Sequence, residues 1–232
     1  MKINQLKLGS LLSYGQMILS ILISLVYTPM MIRLLGPSEY GLYNTVSSTI
    51  AMLTVLSLGF NSSYIRYYSQ YKLKNDENGI ARLNGLFMLI FLLIGVVALG
   101  CGLFLSFNLD LVFGDGLTTG EYAIARVLMI LLSINLGLSF PMSVFTSIIS
   151  AHEKYVILKL LAMMKTVAGP LVTLPLLLMG HGSIAMVRVT LGVSTLTDII
   201  YFIYVKKRKA GILNEIGEFR GCFTRFGRYP RK

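Results

Sequence analysis

The amino-acid sequence predicts an all-α fold, a polytopic membrane protein built as a six-transmembrane-helix bundle. Three observations predict it. Of the 232 residues, 55% are hydrophobic and only 13% are charged, with a mean hydropathy of +0.72. That charged share is about half the roughly 25% of a soluble domain, and the polar side chains left over could not cover the outside of a soluble core. Six apolar stretches reach the roughly 20 residues that a helix needs to cross a bilayer. The basic residues collect at alternate connections between those stretches. A soluble enzyme, a nucleic-acid-binding module and a disordered chain are thereby excluded, and the lack of alternating apolar and polar positions argues against a barrel.

The spans are expected at about 8–32, 41–60, 85–107, 123–149, 156–179 and 183–205. The first is too long for a cleaved signal peptide, and no small-residue cleavage site precedes Arg33. Lys2 and Lys7 precede it, and Arg33 alone follows it. After the second span come Arg66, Lys72, Lys74 and Arg82; after the third, only the acids Asp110, Asp115 and Glu121. Lys154 separates spans four and five, with Lys159 just inside the fifth. His181 separates five and six, and Lys206, Lys207, Arg208 and Lys209 follow the sixth. This alternation predicts a multi-pass protein of the cytoplasmic membrane with both termini cytoplasmic. The net charge of +11 is then a marker of orientation, not of nucleic-acid binding.

The connections carry their own signals. Tyr64, Tyr67, Tyr68 and Tyr71 recur at helical spacing among Arg66, Lys72 and Lys74, as in an amphipathic helix lying along the inner surface. It serves there as an interfacial anchor or as a gate. Segment 210–232 is basic, has no apolar run and reads as an exposed cytoplasmic tail. Cys101 and Cys222 have no CxxC neighbour, and His152 and His181 are isolated, so neither a disulfide, a metal site nor a cofactor is expected. With no Trp in the chain, the 13 Tyr can serve the interfacial belts.

Arg33-Leu34-Leu35-Gly36-Pro37-Ser38-Glu39-Tyr40-Gly41-Leu42-Tyr43 resembles the signature after the first span of polysaccharide (O-antigen) flippases. These are members of the multidrug/oligosaccharidyl-lipid/polysaccharide exporter superfamily. Leu58-Gly59-Phe60 with Tyr64-Ile65-Arg66-Tyr67 looks like that family's end of the second span, and Ser150-Ala151-His152-Glu153-Lys154-Tyr155 like its turn between spans four and five. The resemblance covers about residues 8–209. Locally, Gly36-Pro37 breaks a helix, Ser38 can cap the next one, and Glu39 suits its first turn. The resemblance implies one lobe of a two-lobe transporter, moving undecaprenyl-pyrophosphate-linked oligosaccharide without bond chemistry. The expected partners are therefore the polyprenyl-pyrophosphate-linked glycan, the lipid bilayer, and a second lobe or a second copy, with no nucleic acid. The chain is expected to be the N-terminal lobe or a fragment of such a protein, with 217–232 unlike the family. The alternatives are a cation-coupled multidrug antiporter of the same superfamily and a non-transporting membrane partner subunit. A membrane-embedded enzyme would need clustered His or carboxylates near an interface, and none is seen.

Candidate substrate contacts are polar residues within or beside the apolar spans. Ser13, Gln16, Ser20, Ser24 and Tyr27 form a polar stripe on the first span; Asn44, Ser47, Ser48 and Thr54 lie on the second; Asn135, Ser139, Ser143, Thr146 and Ser150 stripe the fourth. They form either a hydrophilic wall or close helix contacts bonded to backbone. Arg33, Arg66, Lys165 and Arg188 could neutralise a pyrophosphate, as the resemblance implies for a basic cavity. Lys165 and Asp198 lie at depths differing by about 3 Å, at 1.5 Å per residue. They could form a buried ion pair, or Asp198 could couple protons while Lys165 holds phosphate. The absence of any carboxylate from span one favours lipid-linked sugar over a cation antiporter. Pro29, Pro141, Pro170 and Pro175 can each bend a span, as alternating access requires.

Overall fold

A computed structural model describes residues 5–57, 59–114 and 116–208. Lys2, Leu58, Asp115, Lys209 and the basic tail 210–232, with Cys222 in it, lie outside the described residues. Among the described residues every regular element is helical.

Helix α1 (Gln5–Leu35) runs unbroken through Pro29. Gly36 then turns the chain at φ +82°, a conformation that a Cβ disfavours. Pro37 opens α2 (Pro37–Met52), where its missing N–H leaves no hydrogen bond unmade. The sequence suggests Ser38 as the cap of this helix. The structure places Gly36 there instead, without a side-chain cap, because Pro37 already starts the first turn ahead of Ser38.

The second span is interrupted. Helix α2 gives way to a 3-10 turn (Leu53–Ser57), and Gly59, left-handed at φ +85°, opens α3 (Phe60–Leu73). Lying flat along the inner surface is what the tyrosine spacing suggests for this segment. It instead runs antiparallel against α4 (Glu77–Phe107). The Phe60 and Phe91 rings are 6.0 Å apart, and one turn further on the Tyr64 and Phe87 rings meet edge to face at 5.2 Å. The tyrosines are the reason: Tyr64 and Tyr68 are buried, so the aromatic face turns into the bundle and leaves Arg66 and Tyr67 outside.

The remaining helices have sharp starts. The Asp76 carboxylate accepts the Gly79 N–H at 2.8 Å and caps α4. After the single turn α5 (Asp110–Phe113), Thr118 and Glu121 form a reciprocal capping box that opens α6 (Thr119–Ala151). Helices α7 (Tyr155–Leu178) and α8 (Ser183–Arg208) complete the bundle. Among the described residues six helical segments are long and apolar enough to cross a membrane. At 1.5 Å per residue α4 and α6 are about 46 and 50 Å long, well beyond a hydrocarbon core of about 30 Å.

Packing follows membrane rules. Helix α6 lies most extensively on α4, where Gly95, Ala98 and Gly102 form a buried strip at spacings of three and four. Facing them on α6 are Gly137 and Ser133. A Cβ at Gly95 would stand 2.8 Å from the Gly137 carbonyl oxygen. Pro141, four residues on, has no N–H with which to engage that carbonyl, so the contact is backbone against a freed acceptor. The outside is apolar: Leu11 is 67% and Leu25 71% exposed, while Ser106, Ser133, Thr173 and Ser194 are buried. An apolar exterior over a core holding small hydroxyls is what a hydrocarbon solvent selects. The chain is a multi-pass membrane protein.

The helices alternate in direction, and hydrogen bonds between turns establish this. At one end the Tyr68 hydroxyl of α3 meets His152 of the α6–α7 turn, and Gly9 of α1 lies against Tyr155. This basic end also carries Lys72, Lys74, Arg82, Lys154 and Lys206. At the opposite end, side chains at the start of α2 reach the starts of α6 and α8.

Candidate functional site

The Gly36-Pro37-Ser38-Glu39 segment ties the opposite end together. The Ser38 hydroxyl donates to Glu121, which is itself engaged by Thr118 in the α6 capping box. Glu39 lies in the first turn of α2, and its carboxylate accepts the Ser183 N–H at 2.6 Å. One short segment thus supplies a hydrogen bond to the start of α6 and a negative charge at the start of α8, where the helix dipole favours it. Beneath them Met31, Leu177 and Met186 pack with Tyr27, Tyr40 and Tyr43, joining α1, α2, α7 and α8. Glu39→Ala is therefore expected to destabilise the protein by about 1–3 kcal/mol, the range for a charge-assisted hydrogen bond and a lost cap. A lowered Tm of the purified protein, partly restored in Glu39→Gln, is the measurement.

The basic end is held by three polar contacts of α3. Tyr64 donates to the buried Asn84 Oδ1 at 2.5 Å, and Ser147 donates to Asn61 Oδ1 at 2.6 Å. His152 Nδ1 lies 2.8 Å from the Ile148 carbonyl, which can only accept, so Nδ1 carries a proton. In the neutral ring Nε2 then accepts from Tyr68, at 2.9 Å. The Lys72 ammonium sits 5.9 Å above the Tyr68 ring, a cation–π contact at the bundle's rim.

The candidate substrate contacts are spread over the bundle. Gln16 is half-buried in a shallow concavity of about 310 Å³ on α1, with Ser13, Met17, Ser20 and Ile21. Asn44 is exposed on α2, and Asn135 is half-buried in the middle of α6. Arg33 is exposed in the last turn of α1, Arg66 on α3 and Arg188 on α8. Lys165 is exposed on α7; Asp198, half-buried on α8, lies within its electrostatic range, with no direct salt bridge between them. Counted from Tyr155 and from Arg208, both lie about 15 Å along their helices. The α1 concavity takes in Gln16 with Ser13 and Ser20 of the same stripe, and no candidate from another helix. Several hydroxyls of the polar stripes bond backbone carbonyls three or four residues back: Ser13 to Gly9, Thr54 to Ala51, Ser143 to Phe140 and Thr146 to Ser143. Those four hydroxyls have their one donor engaged, whereas the amides and cations in the spans have donors to offer a ligand.

Sequence reasoning passed over the pairings Tyr64–Asn84, Asn61–Ser147 and Glu39–Ser183. They join residues 20, 86 and 144 positions apart, which no local spacing announces. The Gly95, Ala98 and Gly102 strip had a readable signal, small residues at spacings of three and four in an apolar run.

A family model described as polysaccharide biosynthesis protein matches residues 7–225, nearly the whole chain. The chain belongs to this family. The match takes in every described helix except the first two residues of α1 and continues past residue 209, where the motif resemblance ends. No curated protein and no solved structure matches the chain. Membership assigns the bundle to polysaccharide biosynthesis.

Proposed function

We propose that this member of the polysaccharide biosynthesis family is a flippase. It moves undecaprenyl-pyrophosphate-linked oligosaccharide from the inner to the outer leaflet of the cytoplasmic membrane by alternating access. It makes and breaks no bonds in doing so. The observation that carries the reading is the family match laid over a six-span bundle, since a polysaccharide assembled on a lipid needs a membrane step. The motif likeness around Arg33–Tyr43 supports the lipid-linked substrate. In this reading the basic end faces the cytoplasm, which puts Lys72, Lys74, Arg82, Lys154 and Lys206 on the side that positive charge favours. The chain supplies one lobe, and a second lobe or a second copy faces it across the transport path. Gln16, Asn44 and Asn135 offer hydrogen bonds to sugar, while Arg33, Arg66, Lys165 and Arg188 balance the pyrophosphate.

Deleting the gene tests this. Lipid-linked glycan is expected to accumulate unmodified on the inner leaflet, with loss of surface polysaccharide that the intact gene restores. Normal surface polysaccharide in the deletion strain would overturn the proposal, and altered drug tolerance alone would point to the antiporter.

A further inference from the structure

Beside the interruption of the second span lies an apolar groove of about 240 Å³, lined by Leu56 and Phe60 on one side and Ile90, Leu93, Ile94 and Val97 of α4 on the other. It opens outward, since Leu56, Leu93 and Val97 are exposed. Two surface stripes continue it toward the basic end. On α4, Leu93, Leu89, Leu86 and Arg82 are exposed at steps of three and four residues. On α3, Tyr67 and Tyr71 follow Phe60 on the same helical face. Arg82 lies about 12 Å along α4 from Ile90, the step from acyl chains to headgroups. Its guanidinium forms no salt bridge or hydrogen bond with the described residues, and Glu77 projects about 140° around the helix from it.

We infer that this groove and Arg82 form a binding site for an anionic phospholipid of the leaflet at the basic end. One acyl chain lies between Phe60 and Leu93, and the lipid phosphate meets the Arg82 guanidinium, with the Tyr67 hydroxyl at the same rim. Charge complementarity selects the occupant. An apolar groove alone accepts any chain, whereas a cation without a partner among the described residues at headgroup depth favours a lipid with net negative charge. The groove is a single-chain slot, below the roughly 300–1,000 Å³ of sites that enclose a drug-sized ligand, and has no room for a glycan. The bilayer's own phospholipid is therefore the source, not the transported lipid.

Native mass spectrometry of the full chain in neutral detergent, titrated with dioleoylphosphatidylglycerol or dioleoylphosphatidylcholine, tests the site. The wild-type protein should retain phosphatidylglycerol in preference. Arg82→Gln should weaken that retention by about fivefold, the effect of one basic residue at an anionic surface, with phosphatidylcholine retention and Tm unchanged. Val97→Phe, on a lipid-exposed position that should tolerate the change, should weaken retention of phosphatidylglycerol by filling the groove. Lys154→Gln, a charge on the α6–α7 turn, should leave it unaltered. Wild-type retention in both Arg82→Gln and Val97→Phe would overturn the site. Selective displacement of phosphatidylglycerol by an equal concentration of polyprenyl phosphate would overturn the phospholipid as its occupant.

Discussion

Gly95→Leu is expected to abolish the native bundle. Any Cβ at position 95 would stand 2.8 Å from the Gly137 carbonyl oxygen and 3.3 Å from Pro141 Cδ. The obstacle is backbone and a ring, neither of which can rotate away as a flexible side chain would. Helices α4 and α6 must then separate along the most extensive helix–helix interface among the described residues. Overpacking a well-filled core costs about 1–3 kcal/mol and sometimes more; with an immovable neighbour the upper end applies, a large part of the whole stability of a domain. The measurement is the yield of monodisperse protein after detergent extraction, with Gly100→Leu as the contrast. A Cβ at Gly100 meets nothing within 4 Å, so that variant should extract like the wild type.

Tyr64→Ala is expected to cost about 3–5 kcal/mol, the range for deleting a buried aromatic. The ring has no exposed surface and packs edge to face on Phe87 and stacked on Tyr68. Its removal opens a cavity between α3 and α4 and strands the buried Asn84 amide. Tyr64→Phe separates the two effects. It keeps the ring and loses the 2.5 Å hydrogen bond to Asn84, so about 1–3 kcal/mol should be lost by leaving Asn84 without this donor. A thermal unfolding series in one detergent orders the proteins wild type, Phe, Ala. Equal Tm values for the Phe and Ala variants would contradict the packing argument.

Much of the architecture is legible in the chain because hydrocarbon imposes a simple rule: a spanning helix must satisfy its own backbone, so length and hydropathy are enough to find it. The first span and the break after it could be read from Gly36 and Pro37, which act locally, although the cap is Gly36 and not Ser38. The second span could not. Apolar character persists through Leu53–Ser57, so composition sees one helix where the backbone changes winding and then turns left-handed at Gly59. The aromatic spacing of α3 announced a helix with two unlike faces but not what the aromatic face would meet. An interface and a neighbouring helix satisfy the same pattern.

The candidate site divides in the same way. Polar residues in apolar runs are easy to find, and Gln16, Asn44, Asn135, Lys165 and Asp198 were all visible. What each one faces depends on how helices far apart in sequence rotate against each other, and that rotation is set by contacts such as Gly95 on Gly137. The same limit hid the role of Ser38 and Glu39: the first-turn position of Glu39 was readable, whereas its bond to the start of α8 was not.

The interruption at Leu53–Ser57 and Gly59 has a mechanical meaning. A continuous helix is a stiff shaft, and torque applied at one end arrives at the other. Here the shaft is cut. The α2 half is anchored at the opposite end by Ser38 and Glu39, and the α3 half is anchored at the basic end by Asn61, Tyr64 and Tyr68. Between the two anchorages lie one tighter 3-10 winding and one left-handed glycine, which break the rigid coupling of a continuous helix. The two halves of the second span are therefore not rigidly coupled, and neither set of anchoring bonds has to break for the other half to rotate.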